Sequence, residues 1–158
     1  MASILNDDDL LIRRIDPDSP SNLTRVITLS PGSFMDEGKR YTNLSFFLAR
    51  HFNGDMQRLL VRCCNYSNIN RAISQSVETG SLSAREYYDY GYRLASISVK
   101  QVKEHGLSFK EIATDKFVSA NGHVDVIDGQ EYAVWFAKNS LLLPEQSVFP
   151  TNTIPTTT

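Results

Sequence analysis

His123, Asp125 and Asp128 are the residues best suited to acid–base or metal chemistry. In a strand, His123 and Asp125 would project together from one face, with Val124 and Val126 on the other. They could form an acid–base pair or bind a metal, and an enzyme that uses His123 and Asp125 is one hypothesis. Two residues do not complete a metal-ligand set. The pattern therefore favours a polar strand face, with Asp128 serving the following turn.

Cys63 and Cys64 are the only cysteines, and His51 could pair with them as a base. Cys63 falls on the apolar stripe of a predicted helix, where a thiol behaves as a small hydrophobic group. His51 is expected on the inner edge of its own helix, as a hydrogen-bonded core histidine. Adjacent cysteines favour two free thiols over a strained disulfide. We therefore expect a structural role for these residues.

Sequence motifs for cofactors are missing. The chain has no glycine-rich phosphate loop, no C-x-x-C pair, no H-E-x-x-H and no G-x-S-x-G. The run Asp7-Asp8-Asp9 could bind a cation, but a solvated lead-in is favoured. We expect no cofactor, no metal and no catalytic residues.

The segment from Tyr87 to Arg93 holds four tyrosines within six residues. On a helix they cannot all face the core, so Tyr87 and Tyr90 are expected to flank it and to contact a partner. Arg85 and Arg93 would suit an acidic or phosphate-bearing partner. This segment predicts a protein-interaction surface.

Basic residues concentrate in the middle of the chain. Residues 38–116 carry twelve bases against seven acids, although the whole chain has a net charge of −2. A mildly positive surface can contact nucleic acid or an acidic partner. The candidate nucleic-acid-binding residues in this alternative are Arg58, Arg62, Arg71, Arg85, Arg93 and Lys100.

Composition is that of one globular domain. The chain has 158 residues, of which 41% are hydrophobic and 22% charged. No apolar run is long enough to cross a membrane, and the acidic start is unlike a signal peptide. With its two adjacent cysteines, this predicts a cytoplasmic protein.

The hydrophobic pattern predicts elements in the order strands, helices, strands. Residues 10–15 and 23–29 are expected to form an N-terminal β-hairpin. Helices are expected from about Thr42, from Asp55 as N-cap, and from about Asn68, with Asn53-Gly54 as a left-handed stop. Ser83-Ala84-Arg85-Glu86 is a capping box that opens the predicted central helix, 84–105.

A second capping-box pattern at Ser108 opens a short predicted helix to about Phe117. Residues 123–136 then return to a period of two and predict a C-terminal β-hairpin around Asp128-Gly129. The expected fold is α+β, a bundle of four to five helices around helix 84–105 between two hairpins. The predicted domain is 8–143, and 144–158 is predicted to be an extended, flexible Pro/Thr-rich tail.

The stretch Leu107-Ser108-Phe109-Lys110-Glu111-Ile112-Ala113 resembles the first helix of a helix-turn-helix, and the hairpin 123–136 would be its wing. The resemblance implies DNA binding. The sequence departs from the motif at the turn, where Phe117 stands in place of glycine. It also departs in the recognition helix, where Asn121-Gly122 interrupts the pattern.

The leading hypothesis is a non-enzymatic protein-interaction or assembly module, such as an accessory or structural protein of a phage, virus or mobile element. Its partner is another protein or a second copy, without a membrane. The predicted contact residues are Tyr87, Tyr90, Arg85, Arg93, and Phe149 and Ile154 in the tail. The alternative is a nucleic-acid-binding protein that uses Arg58, Arg62, Arg71 and Lys100.

Overall fold

A computed structural model describes residues 5–15, 28–35, 42–63, 93–112 and 116–144. Five strands lie in these ranges: β1 (Leu10–Ile15), β2 (Leu44–Leu48), β3 (Arg93–Ser98), β4 (His123–Val126) and β5 (Leu141–Leu142). The α-helices of the same ranges are α1 (Met56–Cys63), α2 (Val99–Glu104) and α3 (Ala133–Asn139). Short 3-10 helices cover Pro31–Phe34, Ala49–Phe52 and Gly129–Tyr132.

The strands form one antiparallel sheet in the order β4-β2-β1-β3-β5. β1 lies in the centre and pairs along its whole length with β3, from Leu10 opposite Ser98 to Ile15 opposite Arg93. Its pairing with β2 covers only Leu11 and Ile12. Beyond that point the Arg13 guanidinium donates hydrogen bonds to the carbonyls of Ser33 and Ser45, at 2.8 and 2.9 Å.

One face of the sheet carries the main core. Because directly opposed residues place their side chains on the same face, the strands supply a continuous apolar surface here. α2 and α3 cover it together with Phe34. The strand residues of this surface are Leu11, Ile15, Leu44, Phe46, Leu48, Ala95, Ile97, Val124 and Val126.

Phe136 of α3 lies at the middle of this core. Its ring centroid is 5.7 Å from that of Phe34, 5.5 Å from that of Phe46 and 5.0 Å from that of Trp135. Such offset and edge-to-face contacts stabilise aromatic clusters beyond the area that they bury. This cluster fixes α3 against the sheet.

The opposite face is partly apolar and partly polar. Ile12 and Leu94 are buried there, whereas Ser45, His123 and Asp125 line the β2–β4 end. The Arg14 guanidinium, which projects from this face, donates a hydrogen bond to the carbonyl of Cys63. α1 therefore ends beside this face of the sheet.

The outer edge of β4 is covered. The backbone N–H of Lys110 donates to the carbonyl of Asp125, and that of Ile127 donates to the carbonyl of Ser108, both at 2.9 Å. Phe109 forms a bridge with Val126. The predicted helix from Ser108 and the helix-turn-helix interpretation are wrong in this region, because residues 107–112 run alongside a strand.

The predicted bundle of four to five helices is wrong. The described part of the chain is organised by the five-stranded sheet, with only three α-helices. The segment predicted as a helix from Thr42 contains β2 and the 3-10 helix Ala49–Phe52. Leu44 and Leu48 fit a helical and a strand period alike, and burial of Phe46 beside them selected the strand.

The predicted helix 84–105 is wrong over its described part, since 93–98 is β3 and only Val99–Glu104 is helical. Ser98 caps α2: its Oγ accepts a hydrogen bond from Gln101 N at 3.1 Å. Leu94 and Ile97 point to different faces and both are buried, so the strand lacks the alternation that would have revealed it. The predicted capping box at Ser83 lies outside the described residues.

The prediction of a C-terminal hairpin is correct for its first strand only. His123–Val126 is a strand as predicted, but residues 133–139 form α3 instead of a second strand. Ala133 and Phe136 are buried while Val134 is 55% exposed, which is a helical pattern.

In the predicted N-terminal hairpin, residues 10–15 do form the strand β1, whose described partners are β2 and β3. Most of the hairpin's predicted second strand, 23–29, lies outside the described residues. So does the predicted tail beyond Pro144. Within the described ranges, no helix has the length and apolar character needed to cross a membrane.

Candidate functional site

A cleft lies between α1 and the 3-10 helix Ala49–Phe52, and two arginines of α1, Arg58 and Arg62, line it. The Oδ1 atom of Asp55 accepts a hydrogen bond from Arg58 N at 3.0 Å and caps the helix, as the sequence predicts. Leu59 and Leu60 are fully buried and hold the inner side of α1 in place. Arg58 and Arg62 are one helical turn apart, so both exposed side chains lie along one side of the helix.

The 3-10 helix Ala49–Phe52 supplies a second wall of the cleft. It buries Phe52 and leaves His51 exposed, with the two rings 5.2 Å apart in an edge-to-face arrangement. Asn53 and Gly54 follow with φ of 54° and 75°, and Gly54 N donates to the carbonyl of Ala49. The left-handed stop is confirmed, but the prediction that His51 is a core residue is wrong.

An ion pair anchors this 3-10 helix to the start of β1. The Nε and Nη2 atoms of Arg50 each lie 2.9 Å from a carboxylate oxygen of Asp9. Asp9 is only 7% exposed. The Arg50 hydrogen bonds hold the pKa of the Asp9 carboxyl below its usual range, and burial opposes them only in part. Asp9 is therefore a structural carboxylate.

Gly122 supplies the floor beneath His51. It has φ +82°, and its carbonyl accepts a hydrogen bond from Leu48 N at 2.8 Å. A Cβ atom at this position would lie 2.7 Å from Cγ and Cδ2 of the His51 imidazole. Only glycine leaves room for this contact. The imidazole is therefore supported from one side by backbone.

The cleft has a volume of about 280 Å³. Its lining combines cationic, polar and apolar groups from three segments of the chain. These residues are His51, Phe52, Arg58, Val61, Arg62 and Asn121. Among the described residues, no ion pair engages the guanidinium of Arg58 or Arg62. The cleft therefore carries positive charge that no described carboxylate neutralises.

His123 and Asp125 do project together from β4, as predicted, but each has a different partner. The imidazole of His123 packs on the ring of Phe47, with centroids 4.2 Å apart. The carboxylate of Asp125 accepts a hydrogen bond from Ser45 Oγ at 2.6 Å. Burial lowers the pKa of His123, Asp125 opposes that shift, and Arg62 adds to it. These contacts favour a neutral, structural imidazole.

No described group of three or more histidine, cysteine or acidic side chains is arranged to hold a metal ion. Cys63 is half-buried, and its Sγ donates to the carbonyl of Leu60. Asp128 adopts φ 56° and accepts a hydrogen bond from Thr42 Oγ1, which fits its predicted role in a turn.

The structure brings together only two of the predicted binding residues, Arg58 and Arg62. Lys100 lies on α2 and is not part of the cleft, and the Arg93 guanidinium donates to the carbonyl of Leu143 at 2.6 Å. The other predicted residues lie outside the described ranges: Arg71, Arg85, Tyr87, Tyr90, Phe149 and Ile154.

Sequence reasoning missed the contributions of His51, Asn121 and Gly122. The one local signal was Asn121-Gly122, which marks a turn without saying which ring packs on it. No protein-family model, curated protein or solved structure matches this chain.

Proposed function

We propose that this protein is a non-enzymatic nucleic-acid-binding protein and that the cleft between α1 and Ala49–Phe52 contacts the phosphate backbone. The observation that carries the proposal is the shared exposure of Arg58 and Arg62 without a described carboxylate partner. Elsewhere in the described chain, Arg50 and Lys103 pair with Asp9 and Asp7. The two arginines of the cleft differ from these because their charge is left for a ligand.

The chemistry of the lining supports a phosphate ligand. Arginine presents a planar set of donors that matches two phosphate oxygens and carries its charge at every physiological pH. Asn121 adds a neutral side chain that can donate and accept. The excess of bases over acids in residues 38–116 favours approach of a polyanion.

The proposal assigns no catalytic step. His123 packs on Phe47 and Asp125 is bonded to Ser45, so both have structural contacts. We place the protein in the cytoplasm, as its composition and its two adjacent cysteines predict.

A salt titration tests the proposal. Binding of a fluorescently labelled oligonucleotide should weaken steeply with salt, because phosphate contacts release counterions. Each arginine lost from the cleft should lower the slope of log affinity against log salt by about 1. The double variant Arg58→Gln, Arg62→Gln is compared with Lys138→Gln, which removes an exposed charge from α3.

An affinity that does not change with salt would overturn the proposal. So would a double variant with the same slope as Lys138→Gln.

A protein-interaction or assembly module is the second candidate, with a second copy of the chain as the partner. One observation favours it: Tyr132 and Val134 are 38% and 55% exposed beside Trp135, whose indole stacks on His105 at 4.2 Å. Aromatic and apolar groups of this kind are enriched at interfaces. The origin in a phage, virus or mobile element stays a prediction.

Light scattering over a concentration series tests this candidate. Self-association through α3 should give a mass above that of one chain, and Val134→Glu should restore the mass of a monomer. Ile112→Glu, at another exposed apolar residue, is the control. A monomeric wild type at all concentrations rejects the candidate.

A further inference from the structure

His51 is placed as a platform for a flat ligand group. Its imidazole is exposed, yet it lies against the backbone of Gly122. It also makes an edge-to-face contact with the buried ring of Phe52. Planar rings held in this way take part in stacking at little cost in side-chain entropy. The platform stands in the same cleft as the two arginines.

The surroundings of His51 are rigidly connected to the sheet. The carbonyl of Gly122 is bonded to Leu48 N, and Gly122 N donates to the carbonyl of Ser119 at 3.0 Å. On the other side, Arg50 is held by Asp9 through two hydrogen bonds. His51 thus lies between two anchored segments, which makes the cleft largely pre-formed.

The lining also contains apolar groups that a phosphate backbone alone would not use. Val61 and Phe52 stand beside the arginines in the wall of the cleft. In a duplex the base faces are stacked on each other, so only unpaired bases can occupy a site that combines a ring platform with apolar walls. Asn121 provides both a donor and an acceptor for the edge of such a base.

We infer that the cleft binds single-stranded nucleic acid, with one unpaired base stacked on His51 and the adjoining phosphates held by Arg58 and Arg62. The inference rests on the proposed function and specifies its ligand. Stacking on a ring tolerates any base, because every base has a π-face. Weak sequence preference and strong salt dependence should therefore occur together.

The experiment compares a labelled oligothymidylate of about 10 nucleotides with a duplex of the same length, by fluorescence anisotropy. The wild type should bind the single strand on the order of tenfold more tightly than the duplex. His51→Ala should weaken single-strand binding on the order of tenfold, since one stacked base is lost. His51→Phe should restore it by replacing the platform.

His105→Ala is the matched control, because His105 is also exposed but stacks on Trp135 away from the cleft. It should leave single-strand binding unchanged. Circular dichroism of each variant checks that the fold is retained.

Equal affinity for duplex and single strand would overturn the inference, as would unchanged binding by His51→Ala. If the double arginine variant still lowered the salt slope in either case, the proposed function would stand without its single-stranded ligand. If the wild type bound neither oligonucleotide at low salt, both would fail.

Discussion

The two faces of the sheet are built from different interactions. The face under α2 and α3 carries the main core, and its apolar strand residues, from Leu11 to Val126, are almost entirely buried. The β2–β4 end of the other face carries His123, Asp125 and Ser45, and the cleft lies beside it. The first face stabilises the fold, whereas α1, which ends beside the second face, leaves Arg58 and Arg62 exposed.

This difference separates stability from binding. Changes in the core should lower the free energy of unfolding and leave the chemistry of the cleft intact while the protein stays folded. Changes to the exposed arginines should weaken binding in the cleft and leave the free energy of unfolding nearly unchanged. Four variants test that separation, from the largest expected loss of stability to the smallest.

Phe136→Ala should give the largest loss, about 3–5 kcal/mol in the free energy of unfolding. It removes the ring that contacts Phe34, Phe46 and Trp135. Urea denaturation followed by circular dichroism measures the loss. Val134→Ala, on the exposed side of the same helix, should cost less than about 0.5 kcal/mol. Similar losses for the two variants would contradict the assignment of the core face.

Asp9→Asn should lower the free energy of unfolding by about 2 kcal/mol, because the Arg50 guanidinium loses its charged partner. Arg50 is 38% exposed, so solvent moderates the cost of leaving it unpaired. Asp7→Asn is the control, since its bond to Lys103 is on the surface. Equal losses for the two variants would show that the Asp9–Arg50 pair stabilises the fold no more than the surface pair Asp7–Lys103 does.

The contribution of Asp9 should also depend on pH. Its pKa in the folded state is below the ordinary value of 3.8, so its stabilisation is fully present above that value. As pH falls through the lower, folded pKa, the stabilisation disappears. The stability difference between wild type and Asp9→Asn, measured from pH 6 to pH 2, should therefore shrink on the acid side. A constant difference would contradict this sign.

Gly122→Ala should cost about 1–2 kcal/mol from the positive φ alone and should also displace His51, because the new Cβ would stand 2.7 Å from the imidazole. Gly54→Ala is the matched control: its φ is +75°, but nothing lies within 4 Å of its Cβ position. Both variants should lose stability, measured by urea denaturation. Only Gly122→Ala should alter oligonucleotide binding, and an equal effect on binding would reject the role of Gly122 in the cleft.

The double variant Arg58→Gln, Arg62→Gln should change the free energy of unfolding by less than about 0.5 kcal/mol, because neither guanidinium has a described ion-pair partner. Thermal denaturation measures this. A stability loss near that of Asp9→Asn would mean that the arginines support the fold, and the separation between the faces would break down.

Sequence reasoning succeeded where a short segment determines its own structure. The N-cap at Asp55 and the apolar stripe that includes Cys63 predicted α1, which the structure has at Met56–Cys63. The strand at 123–126 was also predicted from its alternation. The predictions were wrong at β2 and β3, because the spacing of their apolar residues is also compatible with a helix.

The candidate site was predictable only in part. Arg58 and Arg62 share a helix, so their common side follows from spacing. His51 and Asn121 are distant in sequence, and they meet because β2 pairs with β4, from Leu44 opposite Val126 to Phe47 opposite His123. No local pattern encodes that pairing.

The sequence by itself determined the N-cap at Asp55, the left-handed turn at Asn53-Gly54 and the strand at 123–126, because these depend on interactions within a few residues. Tertiary structure decided which ambiguous apolar runs became strands and which segments became neighbours. β1 illustrates the reason, since its partner β3 lies about eighty residues further along the chain. In β3, burial on two faces at once, which only the assembled sheet provides, stabilised the strand over the predicted helix.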